Sequence, residues 1–162
     1  MMSKTQFDIS RRTFTASGCF LGVATLIGAK PKATIAKGSD KMTTSPQDLQ
    51  RALATAFNSQ DIDALAALFH QDAVLVSGPG MIASGRAAIR EALGEFLKIP
   101  GMMVVESLEV VEAADMALGK TAWQIEKDGV VAVEGQGMEV LRRGTNGSWL
   151  FVIDHPFGGA SG

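Results

Sequence analysis

The spacing of apolar residues changes once along this chain, near residue 101, and that change limits the folds open to it. Before this point apolar side chains recur every three or four residues, which is the spacing of one face of an α-helix. After it they alternate in twos over four long segments, which is typical of β-strands. Helices followed by strands predict an α+β domain, because alternating βαβ units would show both periods throughout.

Three amphipathic helices and one short strand are predicted before residue 101. Ser45-Pro46 opens the first helix, since serine caps a helix and proline suits its first position. The predicted apolar stripes are Leu49, Ala52, Leu53, Ala56 and Phe57 in the first helix, Ile62, Leu65, Leu68 and Phe69 in the second, and Ile89, Leu93, Phe96 and Leu97 in the third, which follows Gly85. The short strand covers 73–76, and Gly78-Pro79-Gly80 is a loop.

Four strands are predicted after residue 101, over 102–113, 116–126, 130–143 and 148–154. Tight-turn residues separate them, including Asp128-Gly129 and Asn146-Gly147. The predicted order is therefore α-α-β-α-β-β-β-β, with the helices packed on one curved antiparallel sheet. In the last strand both faces are apolar, although the helices cover only one face of the sheet. A second copy of the chain packed on the other face would bury it, so a homodimer is predicted.

Residues 1–36 have the composition of an export signal, and 37–45 that of a polar linker. Lys4, Arg11 and Arg12 precede an apolar run over 13–29, and small residues end at Ala36, where cleavage is expected. Ser10-Arg11-Arg12-Thr13-Phe14 resembles a twin-arginine signal, although Thr15-Ala16 replaces its usual Leu-Lys. We expect the twin-arginine machinery as a partner and a periplasmic or secreted product without stable membrane insertion. The alternative is a disordered basic tail.

Composition excludes several kinds of function. Residues 37–162 hold ten basic and sixteen acidic residues, which disfavours nucleic-acid binding. With Cys19 in the signal and two histidines in all, no Cys/His zinc site can form. The Gly80–Ala87 segment has Ala87 where a phosphate-binding loop needs a hydroxyl, so nucleotide binding is not expected. No cofactor and no metal are predicted.

Three segments resemble the nuclear transport factor 2-like superfamily, which includes ketosteroid isomerases and SnoaL-like cyclases. They are Asn58 to Val74, Gly85-Arg86-Ala87-Ala88-Ile89-Arg90-Glu91, and Leu141-Arg142-Arg143 with Gly147-Ser148-Trp149 and the closing Asp154-His155. The resemblance covers about 46–157, with 158–162 as a flexible tail. It implies a cone, in which a bent sheet wrapped by three N-terminal helices encloses a deep apolar pocket, with dimers formed through the sheet.

The chain departs from the steroid isomerases where their catalytic groups align. Ser77 stands at the position of their aspartate base, Leu53 stands at that of their tyrosine donor, and the chain has no tyrosine. The resemblance therefore implies a pocket without assigning a reaction. His155 is the predicted catalytic acid or base, because the pKa of histidine lies near neutrality, and Ser77 is a predicted orienting hydroxyl.

The predicted ligand pocket contains Phe57, Trp123, Met138 and Phe157. Alternation in the third long strand places Glu134 on one face and Glu139 on the other, and either face is open as the pocket side. We expect an exported protein that binds a small apolar molecule, with cofactor-free isomerase, cyclase or hydratase chemistry. The alternative is a non-catalytic dimeric module for ligand binding or protein interaction.

Overall fold

The structure is a computed structural model that describes residues 43–159. The predicted export signal over 1–36 and its cleavage after Ala36 lie outside the described residues, as do 37–42 of the predicted linker and 160–162 of the predicted tail. No helix within 43–159 is both long and apolar enough to cross a membrane.

Three helices form at the places that the apolar stripes predict. They are α1 (Pro46–Asn58), α2 (Ile62–Ala67) and α3 (Gly85–Phe96). Ser45 caps α1 by accepting a hydrogen bond from the Asp48 backbone N–H, and the Asp61 side chain caps α2 in the same manner. The buried faces of α1 and α3 supply Leu49, Phe57, Ile89 and Leu93 to the core.

Six strands form one mixed sheet, which confirms the α+β fold class. They are β1 (Phe69–Gly78), β2 (Met81–Ser84), β3 (Met102–Ala113), β4 (Met116–Lys127), β5 (Val130–Arg143) and β6 (Trp149–His155). Their order across the sheet is β2-β1-β6-β5-β4-β3. Every neighbouring pair is antiparallel except β1 and β6, which run parallel.

The first part of the sheet differs from its prediction in three respects, one of which is that β1 and β6 run parallel in a sheet expected to be antiparallel throughout. β2 is an additional strand that pairs with β1 through the Gly78-Pro79-Gly80 turn. β1 begins at Phe69, which was expected to extend the second helix. Phe69 pairs with Phe151 of β6, their rings lie 5.1 Å apart, and Phe69 is fully buried. The free energy gained by burying Phe69 against β6 is larger than the weak preference of these residues for extending α2 by one more turn.

A β-bulge in β6 changes which side chains face the helices. Leu141 of β5 pairs with Phe151, whereas the preceding Val140 pairs with Ile153, so Val152 is an extra residue in β6. One extra residue reverses the alternation of faces beyond it. Phe151 and Asp154 are therefore both buried, while Ile153 is 42% exposed on the outer face of the sheet.

Both ends of the described chain are hydrogen-bonded to the sheet. Thr43, expected in a free linker, donates its hydroxyl to the Trp149 carbonyl at 2.7 Å and accepts from the Trp149 N–H. Gly159, expected in the tail, donates its N–H to the Gln136 carbonyl at 2.9 Å. The ordered domain thus extends beyond 46–157 on both sides.

Candidate functional site

A cavity with a volume of about 80 Å³ lies between the helices and the inner face of the sheet. Its wall is mostly apolar, and Phe57, Phe96, Trp123 and Phe157 form a continuous run of aromatic side chains with ring centroids 5.3 to 5.8 Å apart. Its polar lining residues are Gln50, Ser77, Thr121, Glu139 and Asp154. The cavity therefore combines an apolar wall with a few polar groups, which is the usual composition of a small-molecule site.

Glu139 projects from the middle of β5 into this cavity and is 4% exposed. Thr121 of β4 donates its hydroxyl to Glu139 Oε1 at 2.5 Å, and Gln50 of α1 donates Nε2 to Oε2 at 3.2 Å. Burial raises the pKa of Glu139 above its usual range, while these two hydrogen bonds act in the opposite direction. The two donors favour the ionised form of this carboxyl.

Two glycines provide the space that the Glu139 side chain occupies. A Cβ at Gly119, its cross-strand neighbour on β4, would lie 2.6 Å from Glu139 Oε2 and 2.7 Å from Gln50 Nε2. A Cβ at Gly137 would lie 2.6 Å from both Glu139 Oε1 and Thr121 Oγ1. Because real Cβ atoms do not approach so closely, both positions require glycine for this hydrogen-bonded arrangement.

Asp154 lies directly opposite Glu139, on β6, and is 5% exposed. Burial raises the pKa of Asp154 to about 8, and the neighbouring Glu139 carboxylate contributes to the increase because two adjacent negative charges repel. Within 43–159 no hydrogen-bond donor serves the Asp154 carboxyl. Burial and the neighbouring charge therefore favour the protonated form of Asp154, whereas the two donors on Glu139 favour its ionised form.

Such a pair presents an acid and a base to the same ligand. A protonated carboxyl donates a hydrogen bond and a carboxylate accepts one, so neighbouring atoms of a ligand can be protonated and deprotonated together. Among the residues lining the cavity there is no Lys, Arg or His, so a neutral ligand is favoured over an anion. Within the described range no group of three or more potential metal ligands occurs.

Four of the six predicted site residues line the cavity. Phe57, Trp123 and Phe157 lie in its aromatic wall, and Ser77 lies at the end of β1, where its hydroxyl is 3.5 Å from the Met81 carbonyl oxygen. Trp123 also donates its indole N–H to the Pro156 carbonyl at 2.7 Å. Gly135 lies beneath this wall, since a Cβ there would be 2.9 Å from both Trp123 and Phe157.

The other two predicted site residues, His155 and Met138, do not line the cavity. They pair with each other across β5 and β6, and Met138 is 39% exposed. The prediction placed His155 on the face of Phe151, but the bulge at Val152 sends it to the opposite face. Its Nδ1 is buried without a hydrogen-bond partner among the described residues.

Sequence reasoning missed Gln50 and gave Asp154 no role in the site. Nothing in the sequence indicated a role for Gln50, because a glutamine in an amphipathic helix is normally exposed to solvent. For Glu139 a signal existed in Gly135-x-Gly137-x-Glu139, because alternate glycines remove the side chains from one face of a strand and leave a hollow for larger groups. For Asp154 no signal existed, since the bulge that turns it inward depends on pairing with β5.

The comparisons with known proteins agree with this geometry. A model of the SnoaL-like domain family matches residues 49–152, which is more than half of the chain. The chain belongs to the SnoaL-like family. The predicted resemblance to the nuclear transport factor 2-like superfamily is confirmed. No match was found among the curated protein sequences.

Several solved structures share the SnoaL-like fold of this protein. A ketosteroid isomerase-like protein from Erwinia carotovora atroseptica is 30% identical, with a TM-score of 0.58, covering 72% of this chain and 95% of its own. A putative calcium/calmodulin-dependent protein kinase type II association domain from Thiobacillus denitrificans is 18% identical, with a TM-score of 0.60, covering 68% and 92%. An NTF2-like protein of unknown function from Pseudomonas putida is 20% identical, with a TM-score of 0.55, covering 67% and 80%.

Proposed function

We propose that this SnoaL-like protein is a cofactor-independent acid–base enzyme acting on a small, neutral, apolar molecule that carries a carbonyl group. The observation that carries the proposal is the buried Glu139–Asp154 pair at the polar end of an aromatic cavity. His155, the catalyst predicted from the sequence, has no part in it because its side chain does not line the cavity. The similarity to a ketosteroid isomerase-like protein supports the same class of reaction.

The proposed reaction moves one proton between two carbon atoms of the ligand. Asp154, protonated at neutral pH, donates a hydrogen bond to the carbonyl oxygen, and Glu139 removes a proton from the carbon next to the carbonyl. The electron pair of the broken C–H bond moves into the C–C bond, and the carbonyl oxygen gains the negative charge that Asp154 stabilises. Glu139 then returns its proton to another carbon, which gives an isomer, or to the same carbon, which gives back the starting ligand; in both cases the enzyme is unchanged.

Deuterium exchange tests this step without knowledge of the natural substrate. Cyclohexanone is incubated with the protein in D₂O at pH 7, and NMR follows the loss of the protons next to its carbonyl. Exchange is expected to be faster than in buffer, and Asp154→Asn and Glu139→Gln are each expected to slow the protein-dependent part by about 100-fold or more. The control is Asp128→Asn, a carboxylate in the exposed turn between β4 and β5. Exchange that is unaffected by both cavity substitutions overturns the proposal.

A second candidate function is the non-catalytic dimeric module. The observation that favours it is a row of apolar residues crossing five strands on the outer face of the sheet, from β3 to β1: Val111, Leu118, Val140, Ile153 and Val74. Val111 is 54% exposed and Leu118 46% exposed, which is costly for a face left in water. A second copy of the chain packed on this row is the proposed partner. Cavity binding without any exchange of ligand protons supports this function over the enzyme.

Export is also proposed for this protein. The composition of 1–36 supports the twin-arginine route, a periplasmic or secreted location and cleavage near Ala36. N-terminal sequencing of the exported protein tests it, with Lys37 as the expected first residue. A first residue before 25 contradicts the proposed cleavage.

A further inference from the structure

A buried oxygen atom in the cavity lacks a hydrogen-bond partner. Gln50, on α1, is 2% exposed, and its Oε1 accepts no hydrogen bond from any residue within 43–159. Leaving a buried amide oxygen unpaired is unfavourable, so native structures rarely do so without a reason. Gln50 is one of the residues that line the cavity, so its side chain borders whatever occupies that space.

The orientation of the Gln50 amide follows from its neighbour. Nε2 lies 3.2 Å from Glu139 Oε2, and an amide N–H₂ facing a carboxylate is attractive, whereas an amide oxygen there would be repelled. The amide therefore cannot turn round to satisfy Oε1 without losing its bond to Glu139. Oε1 remains an acceptor that points away from the carboxylate.

The hydroxyl groups lining the cavity do not supply the missing donor, and the proposed function commits the Asp154 proton to the ligand carbonyl. The Thr121 hydroxyl is committed to Glu139 at 2.5 Å, and the Ser77 hydroxyl lies 3.5 Å from the Met81 carbonyl oxygen. The donor must then come from the occupant of the cavity. We propose that the ligand carries a hydroxyl group that donates to Gln50 Oε1, in addition to the carbonyl group that Asp154 binds, so that the substrate class is a small, neutral hydroxycarbonyl compound.

The position of Gln50 also places the two functional groups of the ligand. Gln50 and Asp154 both neighbour Glu139, one through a hydrogen bond and the other across the strands. The hydroxyl and the carbonyl therefore lie at the same end of the ligand, and its apolar remainder contacts the aromatic wall. This inference rests on the proposed function, because it concerns the substrate of the same cavity.

Three probes of equal size test the inference by equilibrium binding at pH 7. Benzyl alcohol offers a hydroxyl donor, ethylbenzene offers none, and benzylamine replaces the donor by a cation. Wild-type protein is expected to bind benzyl alcohol at least as tightly as ethylbenzene, although the alcohol is the better hydrated of the two in water. Alcohol binding more than tenfold weaker than that of ethylbenzene overturns the inference, and benzylamine as the tightest ligand overturns the neutral class.

The variant Gln50→Lys assigns the contact to Gln50. Lysine keeps a donor for Glu139 but has no acceptor. The preference for benzyl alcohol over ethylbenzene is expected to fall about tenfold, which is the effect of one hydrogen bond. Gln47→Lys adds the same charge on α1 at a residue that does not line the cavity, and it is expected to leave the preference unchanged. If a folded Gln50→Lys protein keeps the same preference for benzyl alcohol, then Gln50 Oε1 bonds to water and not to the ligand. That result overturns the inference.

The outcome is independent of the proposed reaction. Binding of the three probes requires no turnover, and the comparison in the wild-type protein requires no variant to fold. Loss of deuterium exchange together with a retained alcohol preference refutes the enzyme while leaving the ligand class intact. Normal exchange without an alcohol preference refutes the ligand class alone.

Discussion

Thr121 donates a hydrogen bond of 2.5 Å to Glu139, and this bond favours the ionised form of that carboxyl within the buried pair. Short hydrogen bonds to an ionised acceptor are roughly twice as strong as neutral ones. Asp154, across the strands, has no such donor within the described residues, and burial raises its pKa. This asymmetry matches the roles of base and acid that we propose for Glu139 and Asp154.

The first prediction concerns stability and pH. The pKa of Asp154 in the folded protein, about 8, lies above its usual value of 3.8, so between these two pH values the folded protein holds a proton that the unfolded chain has released. Stability is therefore highest below the lower value and falls as the pH rises towards the upper one. When the pH is raised from 5 to 7, the titration of this group alone lowers the free energy of unfolding by about 2–3 kcal/mol.

Urea unfolding of wild-type protein and Asp154→Asn at pH 5 and pH 7 measures this effect. Asparagine has no titratable proton, so the variant should lose that part of the pH dependence. At pH 7 its stability relative to wild type should be higher than at pH 5. An equal pH dependence in both proteins contradicts the raised pKa of Asp154.

The second prediction concerns the space beneath Glu139. Gly137→Ala introduces a Cβ 2.6 Å from Glu139 Oε1 and Thr121 Oγ1, so the carboxyl must move. We expect a loss of about 1–3 kcal/mol in the free energy of unfolding, as for overpacking in a well-packed interior. The control is Gly94→Ala in α3, where a Cβ meets nothing within 4 Å and alanine should stabilise the helix by about 0.5–1 kcal/mol. Equal effects of the two substitutions contradict the close approach at Gly137.

The third prediction concerns His155. Its side chain lies outside the cavity lining, so His155→Ala should leave the deuterium exchange rate within about twofold of wild type, in contrast to Asp154→Asn. The exchange assay described above measures both variants side by side. A loss of exchange in a folded His155→Ala protein would restore His155 as the catalyst predicted from the sequence.

The fourth prediction concerns the proposed dimer. Leu118 belongs to the apolar row on the outer face, and Leu118→Glu places a charge there, which should convert the dimer into a monomer in analytical ultracentrifugation. Lys127→Glu, on an exposed residue at the end of β4, is the matched control and should leave the dimer intact. A wild-type protein that sediments as a monomer contradicts this assembly.

The periodicity of apolar residues was sufficient to predict the α+β class, the three helices and the long strands. β3 and β5 have the predicted bounds, and Asp128 and Gly129 form the predicted turn with positive φ values of 52° and 79°. Such features depend on neighbours along the chain, so they can be inferred from the sequence. Three residues of the aromatic wall, Phe57, Trp123 and Phe157, are among those that the sequence analysis predicts to line the pocket.

The polar end of the cavity was decided by tertiary structure. The sequence left both faces of β5 open as the pocket side, and only the packing of α1 brings Gln50 to Glu139, 89 residues away in the chain. Asp154 faces inward, and His155 outward, because a bulge opposite Val140 adds one residue to β6. A single extra residue reverses every later side chain in a strand, and its position depends on pairing between strands. The sequence therefore determined the fold and the apolar wall, whereas the carboxyl pair exists only through contacts between distant segments.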